Sequence, residues 1–254
     1  MLRSMFLAAM AVAIPAHAGE ANASKVVAFE ASVRVEVDAA GRPVKVEAPQ
    51  DLPEAIRDFV EKRVASWQYR PASVDGVPQA ATTYVAVNAC AVPVAGGYRL
   101  GVDFDGNGAR YFEDRRIPPP LYPHEAQMRG TEARFVLILG IDAEGRGKLE
   151  QVEDATFSGR RGSGDFEPEL RRWARTLRFD PELVAGKPVP ARLRIPVTFD
   201  MAPSGVAQRK ALVDELQAKA RMSRECQIAS GDDDAGMKPV ALQPAVEVTL
   251  VPAS

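Results

Sequence analysis

The fold is decided by residues 133–199, which read ARFVLILGIDAEGRGKLEQVEDATFSGRRGSGDFEPELRRWARTLRFDPELVAGKPVPARLRIPVTF. Residues 135–141 form an almost continuous apolar run, as in a buried strand. The run ends at residues 142–145, where Gly145 can take the left-handed conformation that closes a short hairpin loop. A weaker strand with Leu149 and Val152 returns. This stretch therefore begins as a predicted β-hairpin.

A helix and a final strand follow the hairpin. Apolar residues at helical spacing predict a helix that lies with one face on a sheet. These residues are Phe166, Leu170, Trp173, Ala174 and Leu177. After a turn punctuated by Pro181, Gly186 and Pro188, strict alternation predicts a half-buried strand. Its apolar positions are Ala191, Leu193, Ile195, Val197 and Phe199.

An earlier copy of the same pattern precedes this stretch. Residues 38–42 (DAAGR) match residues 142–146 (DAEGR) at an offset of 104, which is 142 minus 38. A second set of positions matches at an offset of 110, which is 177 minus 67. These are Trp67, Tyr69, Pro71, Gly76 and Pro78 against Leu177, Phe179, Pro181, Gly186 and Pro188. Two constant offsets, separated by one loop insertion at residues 158–164, predict a duplicated unit.

The repeat sets the predicted organisation of the chain. The fold class is α+β, with two units that are each a small antiparallel sheet covered by a helix. The predicted segments are a signal peptide (1–18), a degenerate first repeat (26–90), a hairpin and linker (91–117), the second repeat (118–201) and a C-terminal helix and tail (202–254). Within the linker, the Asp-Gly-Asn-Gly sequence at 105–108 predicts a hairpin turn. In the tail, Val246, Val248 and Leu250 alternate as in one added edge strand.

The N-terminal residues predict export. Arg3 is followed by a short apolar run at residues 5–14, a break at Pro15 and the small residues Ala16 and Ala18, the pattern of a cleavable signal peptide. We therefore expect a soluble periplasmic protein, with an uncleaved inner-membrane anchor as the alternative. The net charge of −2 argues against a general nucleic-acid or anionic-membrane surface.

The two cysteines, Cys90 and Cys226, predict one disulfide in an oxidising compartment. Cys90 follows the last strand of the first copy, and Cys226 follows the second copy and its trailing helix. A bridge would tie the two halves together and would contribute about 4–5 kcal/mol in the chain-entropy model. Two buried thiols are the alternative.

The sequence does not contain a recognisable catalytic or cofactor motif. A triad needs a histidine, and only His124 remains after the predicted cleavage, at a helix start where it reads as a surface or capping residue. No zinc spacing and no phosphate-binding glycine loop occurs. We therefore predict a protein that is not an enzyme and that has no cofactor or metal.

One segment has the residue spacing of a calcium-binding loop. Its positions 1, 3, 5, 6 and 12 are Asp103, Asp105, Asn107, Gly108 and Asp114. The residues before it are typical of a strand, and Pro118 to Pro120 forbid a long exiting helix, so a hairpin turn is favoured over calcium binding.

Several motifs of the second copy occur together in one order. They are Tyr122-Pro123 before a short helix, the hairpin residues 142–146 (DAEGR), Arg172-Trp173 in the helix, residues 177–181 (LRFDP), residues 186–190 (GKPVP) and residues 192–199 (RLRIPVTF). In this order they resemble the TonB C-terminal domain family over about 80 residues. The first copy is similar but lacks the leading Tyr-Pro helix.

The resemblance implies a function in TonB-dependent transmembrane transport. Members of this family transfer energy to outer-membrane receptors and bind a periplasmic segment of the receptor as an added strand on the last sheet edge. The implied partner-strand edge consists of Arg192, Leu193, Arg194, Ile195, Val197, Thr198 and Phe199. Pro196 removes one donor from this edge, and its missing N–H is expected to face outward.

The implied partner is an outer-membrane TonB-dependent receptor or another envelope protein. This chain departs from full transducers because it has a cleavable-looking signal and no long proline-rich spacer. The alternative is a periplasmic scaffold that does not transduce energy and whose edges pair with each other or form a homodimer.

Overall fold

The computed structural model describes residues 27–94, 97–112, 117–158, 166–201 and 240–249. Within these ranges the protein is a mixed α+β structure, and all its strand pairs are antiparallel. The predicted signal peptide, nearly all of the loop insertion and the predicted helix after residue 201 lie outside the described residues. None of the helices in the described ranges is long and apolar enough to cross a membrane.

The first half contains one helix and six strands. In chain order they are β1 Val27–Val37, β2 Pro43–Glu47, α1 Glu54–Ala65, β3 Gln68–Arg70, β4 Ser73–Val74, β5 Val77–Pro78 and β6 Ala81–Val94. Two strands, β7 Gly97–Gly108 and β8 Arg110–Tyr111, connect it to the second half.

The second half repeats this order after a short helix. Its elements are α2 His124–Met128, β9 Ala133–Ile141, β10 Gly147–Phe157, α3 Phe166–Thr176, β11 Phe179–Asp180, β12 Leu183–Val184, β13 Lys187–Pro188 and β14 Ala191–Phe199. Two strands near the end of the chain, β15 Val240–Ala241 and β16 Glu247–Thr249, complete the described structure.

The strands of the two halves pair in the same way. The order β2-β1-β6 in the first sheet corresponds to β10-β9-β14 in the second. In both, the first strand of the hairpin becomes the central strand, because the last strand of the unit, which follows the helix in the chain, pairs with its other side. The sequence offsets therefore correspond to equivalent positions in two sheets of the same topology.

The hairpin turns of the two halves match atom by atom. Asp38 Oδ1 accepts hydrogen bonds from the amides of Ala40 and Arg42, as Asp142 Oδ1 does from Glu144 and Arg146. Gly41 and Gly145 both have positive φ, of 80° and 76°. A Cβ at Gly41 would lie 2.2 Å from the Tyr69 carbonyl oxygen, and one at Gly145 would lie 2.0 Å from that of Phe179. Glycine is required at both turns because the next segment passes directly over them.

The two cores differ in composition. The first is formed mainly by small β-branched side chains, including Val33, Val35 and Val85, under α1. The second contains larger side chains, among them Phe135, Phe166 and Leu170, and its phenylalanines form an aromatic cluster under α3. The same framework therefore encloses a valine-rich core in one half and an aromatic core in the other.

The predicted hairpin turn at Asp105–Gly108 is wrong. Residues 97–108 form one continuous strand, β7, which pairs with β6 along its whole length. Gly106 and Gly108 have φ of 131° and 138°, and the register shifts opposite Ala86 and Val87. The glycines therefore accommodate a bulge in a strand rather than a reversal of the chain. β6 also continues past the predicted boundary at residue 90, to Val94.

The predicted strand near the C-terminus is confirmed at β16, which contains Val248, while Leu250 lies outside the described residues. Val248 pairs with Tyr69 of β3, and Val246 is fully buried in the first core. Residues close to the end of the chain therefore complete the half that begins at residue 27.

Candidate partner-binding edge

Strand β14 has one buried face and one exposed face. Side chains alternate across a strand, and the predicted edge residues divide accordingly. Leu193, Ile195, Val197 and Phe199 are buried in the second core, whereas Arg192 and Arg194 are exposed and Thr198 is half-buried. The exposed face of β14 is therefore basic.

The two arginines of β14 are paired across the sheet. Arg192 Nε donates to Glu150 Oε2 at 2.8 Å, and Arg194 Nε donates to Glu153 Oε2 at 2.5 Å. Both acids lie on β10, so each pair reaches over the central strand β9. Gly140 makes room for the first pair, because a Cβ there would lie 2.3 Å from Glu150 Oε1. Exposed pairs of this kind contribute up to about 1 kcal/mol each, so they position the arginines more than they stabilise the sheet.

The backbone groups of β14 alternate between β9 and the outer edge. The Leu242 amide donates to the Arg192 carbonyl at 3.0 Å on the outer side. The register with β9 is unbroken from Ala191 to Phe199, so the backbone groups of Arg194, Pro196 and Thr198 also face outward. Pro196 thus lacks its N–H on the outer side, in agreement with the expectation for proline in an edge strand.

Part of this outer edge is already paired within the chain. β15 lies antiparallel to β14, with Leu193 opposite Ala241 and Arg194 opposite Val240. The predicted edge residues Arg192, Leu193 and Arg194 therefore have a neighbouring strand, which consists of two residues and is extended by the Leu242 hydrogen bond.

The far end of β14 is anchored by the predicted Tyr-Pro motif. The Tyr122 ring meets the Phe199 ring edge-to-face with their centroids 5.5 Å apart, and the Tyr122 hydroxyl donates to the Thr131 carbonyl at 2.8 Å. The Met201 amide donates to Glu132 Oε1 at 2.9 Å. Tyr122 therefore contacts β14 by ring packing, and Glu132 fixes the chain just beyond β14 by a hydrogen bond.

A buried carboxylate connects the C-terminal residues to both halves. Glu182 lies just before β12 and is 1% exposed. Its Oε1 accepts from the Thr83 hydroxyl and its Oε2 from the Ala245 amide, both at 2.7 Å. Asn107 donates to the Val246 carbonyl at 2.7 Å and to Thr83 Oγ1 at 3.2 Å. One polar cluster thus joins β6, β7, the β12 region and the residues between β15 and β16.

Burial raises the pKa of the Glu182 carboxyl, although the hydrogen bonds from Ala245, Thr83 and Val246 act in the opposite direction. The sequence analysis did not identify this residue. A signal was present, because the position that matches Glu182 in the first copy is Ala72, at the same offset of 110. The turn is repeated in both copies, so the change from alanine in the first copy to glutamate in the second marks Glu182 as a residue with a separate role.

The other predicted residues lie apart from β14. Cys90 is buried on β6 and is disulfide-bonded, while Cys226 lies outside the described residues, so its pairing stays a prediction. His124 begins α2. Asp103, Asp105 and Asn107 belong to β7, so they lie on an extended strand and not in a calcium-binding loop. In the described ranges, no group of three or more His, Cys, Asp or Glu side chains is placed to hold a metal ion.

No protein-family model matches this chain, and no curated protein matches it either.

Proposed function

We propose that this protein binds an extended segment of a partner by strand addition to the outer edge of β14, in TonB-dependent transport across the outer membrane. The periplasm is the compartment proposed for this role, from the signal-like N-terminal residues. The observation that carries the proposal is the pairing of residues 240–242 with Arg192–Arg194, because it places an antiparallel strand on the edge in question. The resemblance of the second half to the TonB C-terminal domain family supports the same edge.

The partner strand would take the place of β15. β15 contributes two paired residues, and exposed two-residue pairings are weak, so a longer segment with the same backbone bonds can compete with it. Backbone hydrogen bonds supply the affinity in this mode, and the side chains that alternate along the partner supply selectivity. On the exposed face those side chains would meet the Arg192–Glu150 and Arg194–Glu153 pairs.

A peptide titration tests this proposal. The probe is a fluorescein-labelled peptide from the periplasmic segment of a TonB-dependent receptor, and anisotropy is the readout. Arg194→Pro removes an outward N–H and should abolish saturable binding, whereas Arg194→Ala keeps the backbone and should retain it. Leu242→Pro removes the amide that donates to Arg192 and should tighten peptide binding. Equal binding by the proline and alanine variants at 194 would refute strand addition at this edge.

A second candidate is a scaffold of the cell envelope that assembles through its own sheet edges. The specific observation in its favour is that β12 of the second half pairs with β6 of the first, so one repeat already extends the sheet of the other. Sedimentation of the purified chain tests this candidate, since a scaffold of this kind must self-associate and a chain that stays monomeric would refute it.

A further inference from the structure

The short strand β15 contacts both repeats at once. It pairs with β14 of the second repeat, where Ala241 lies opposite Leu193. It also packs against β7, which belongs to the sheet of the first repeat. The edge proposed for partner binding is therefore flanked by a strand of the other half of the molecule.

At Gly108, the backbone of β7 comes directly against β15. A Cβ at Gly108 would lie 2.8 Å from the Ala241 Cβ, which is closer than two such atoms approach each other in proteins. A Cβ at Gly106, two positions earlier in β7, would meet no described atom within 4 Å. Both glycines have positive φ, so backbone conformation favours glycine at both positions. At Gly108 the lack of space requires it as well.

Leu193 limits the same space from the second repeat. The outward-facing Arg192 carbonyl accepts from the Leu242 amide, so Leu193 and Ala241 form the neighbouring pair without hydrogen bonds. The Cα atoms of such pairs are about 4.5 Å apart, and their side chains lie close together on one face of the sheet. Leu193 is buried in the second core, and the half-buried Ala241 packs against that core. The side chain at position 241 is thus bounded by Leu193 and by Gly108.

The positions that follow Ala241 are open to solvent. The side chains of Leu242 and Gln243 are exposed, and β14 accepts a hydrogen bond from the backbone of Leu242. The next residues of the segment are held elsewhere, by the bond from the Ala245 amide to Glu182 and by the pairing of β16 with β3. Residues 240–243 are therefore limited in side-chain size at position 241, whereas Leu242 and Gln243 are not.

We propose that Gly108 and Leu193 together select partner strands that carry glycine or alanine at the position of Ala241. The inference rests on the proposed function, since it names the class of segment that strand addition to β14 would accept. A larger side chain at this position would strike the Gly108 backbone or push the strand away from β14 and lengthen its backbone bonds. Gly108 of the first repeat thus determines which strands the second repeat binds.

Hydrogen exchange of the Leu242 amide, followed by NMR on the full chain, tests the size limit without a partner. Gly108→Ala should speed this exchange about ten-fold or more, because the new Cβ displaces β15. Gly106→Ala is the matched control. It has the same cost of positive φ and also adjoins Asn107, but it should leave the exchange rate close to that of the natural chain.

Two further variants make the exchange experiment decisive. Combining Gly108→Ala with Ala241→Gly should restore slow exchange, because the methyl group added to one strand takes the place of the one removed from the other. Ala241→Val should speed exchange with β7 unchanged, so the test holds even where Gly108→Ala does not fold. Equal exchange in the two alanine variants, or no restoration by Ala241→Gly, would overturn the proposal.

Peptide binding tests the selection of an incoming strand. The probes are fluorescein-labelled peptides with the sequence of residues 238–244 (KPVALQP), with alanine, glycine, valine or leucine at the position of Ala241. They are titrated against the Leu242→Pro chain, whose own segment lacks the amide that donates to Arg192. The valine and leucine peptides should bind about ten-fold more weakly than the alanine and glycine peptides. The same four residues at the position of Leu242 are the control and should bind alike.

The two experiments separate this inference from the proposed function. Size-dependent exchange without binding of any peptide would refute strand addition by a partner, and with it the selection of partner strands. Binding that is equal for all four residues at the position of Ala241 would leave strand addition standing and overturn the role of Gly108. Size-dependent exchange together with size-dependent binding would support both.

Discussion

The two halves of this protein have the same strand order, the same hairpin turn and the same hairpin tips, yet their cores and their surroundings differ. The first encloses mainly valines and is completed by β7 and β16. The second encloses phenylalanines and leucines, and in the part of the chain that the structure describes the two-residue β15 lies beside its last strand. The comparison teaches that the two halves share the residues that a few turns require, whereas the side chains that fill their cores differ. The first two predictions below compare equivalent positions of the two halves.

Replacement of the turn glycines should have the largest effect. Gly41→Ala and Gly145→Ala would each bring a Cβ within about 2.2 Å of a backbone oxygen, and the backbone cannot move aside as a flexible side chain can. We expect a loss of about 5 kcal/mol or failure to fold. Gly76→Ala and Gly186→Ala are the controls, since a Cβ there meets nothing within 4 Å.

For these controls, only the cost of positive φ remains, about 1–2 kcal/mol. Urea unfolding of all four variants checks the difference. Similar losses at all four glycines would show that conformation, and not the close approach of the next segment, decides the turn.

Truncation of the equivalent helix residues should separate the two cores. Phe166 is fully buried and lies at the centre of the aromatic cluster, so Phe166→Ala should cost about 4 kcal/mol. The matching residue of the first half, Ile56, is half-buried and only borders its core. Ile56→Ala should cost about half as much. Equal losses in urea unfolding would mean that α1 and α3 hold their sheets equally strongly.

The two tryptophans should respond differently to removal of the indole N–H. Trp173 Nε1 donates to the Pro118 carbonyl at 2.6 Å, whereas the buried Trp67 Nε1 has no hydrogen-bond partner among the described residues. Trp173→Phe should therefore cost about 1 kcal/mol more than Trp67→Phe. Urea unfolding followed by circular dichroism checks the difference, because the single tryptophan left in each variant lies in the other half. A larger loss for Trp67→Phe would contradict the assignment.

The smallest expected effect is a change in pH dependence. The folded pKa of Glu182 is raised by burial, so its protonated form favours the fold. Its contribution is fully present below the ordinary value of 4.5 and is lost as the pH rises through the raised folded pKa. Glu182→Gln keeps the shape and does not titrate. The stability of the natural protein relative to this variant should therefore fall as the pH rises, and a flat difference in urea unfolding would show that the carboxyl does not titrate in this range.

The sequence predicts much of the framework for physical reasons. Alternation at Val33 to Val37 and at Leu193 to Phe199 specifies one buried face, and Gly41 and Gly145 specify turns that other residues cannot make. The Asp-Gly-Asn-Gly segment at 105–108 misled the prediction because glycine permits a bulge as readily as a reversal, and the long edge of β6 selected the former. Turn residues depend on the sequence of a few neighbouring positions, whereas the pairing of a strand depends on which other strands of the chain lie beside it.

The candidate edge could be predicted only in part. The alternation identifies which side chains of β14 are buried, but β15 joins it from a distance along the chain that no local pattern encodes. Glu182 was missed for a similar reason. Its partners, Thr83 and Ala245, lie far away in sequence. Glutamate is usually a surface residue, so it is the burial of Glu182 that makes it unusual, and burial depends on these distant residues.

Val246 has a consequence for the order in which the molecule is made. This side chain is fully enclosed by the valine core of the half that emerges first. During synthesis, that half therefore lacks one buried core residue until residue 246 has been made, whereas the buried residues of the aromatic core are all present once residue 199 has been made. The core whose first residue is made earliest is thus the one whose last residue is made latest.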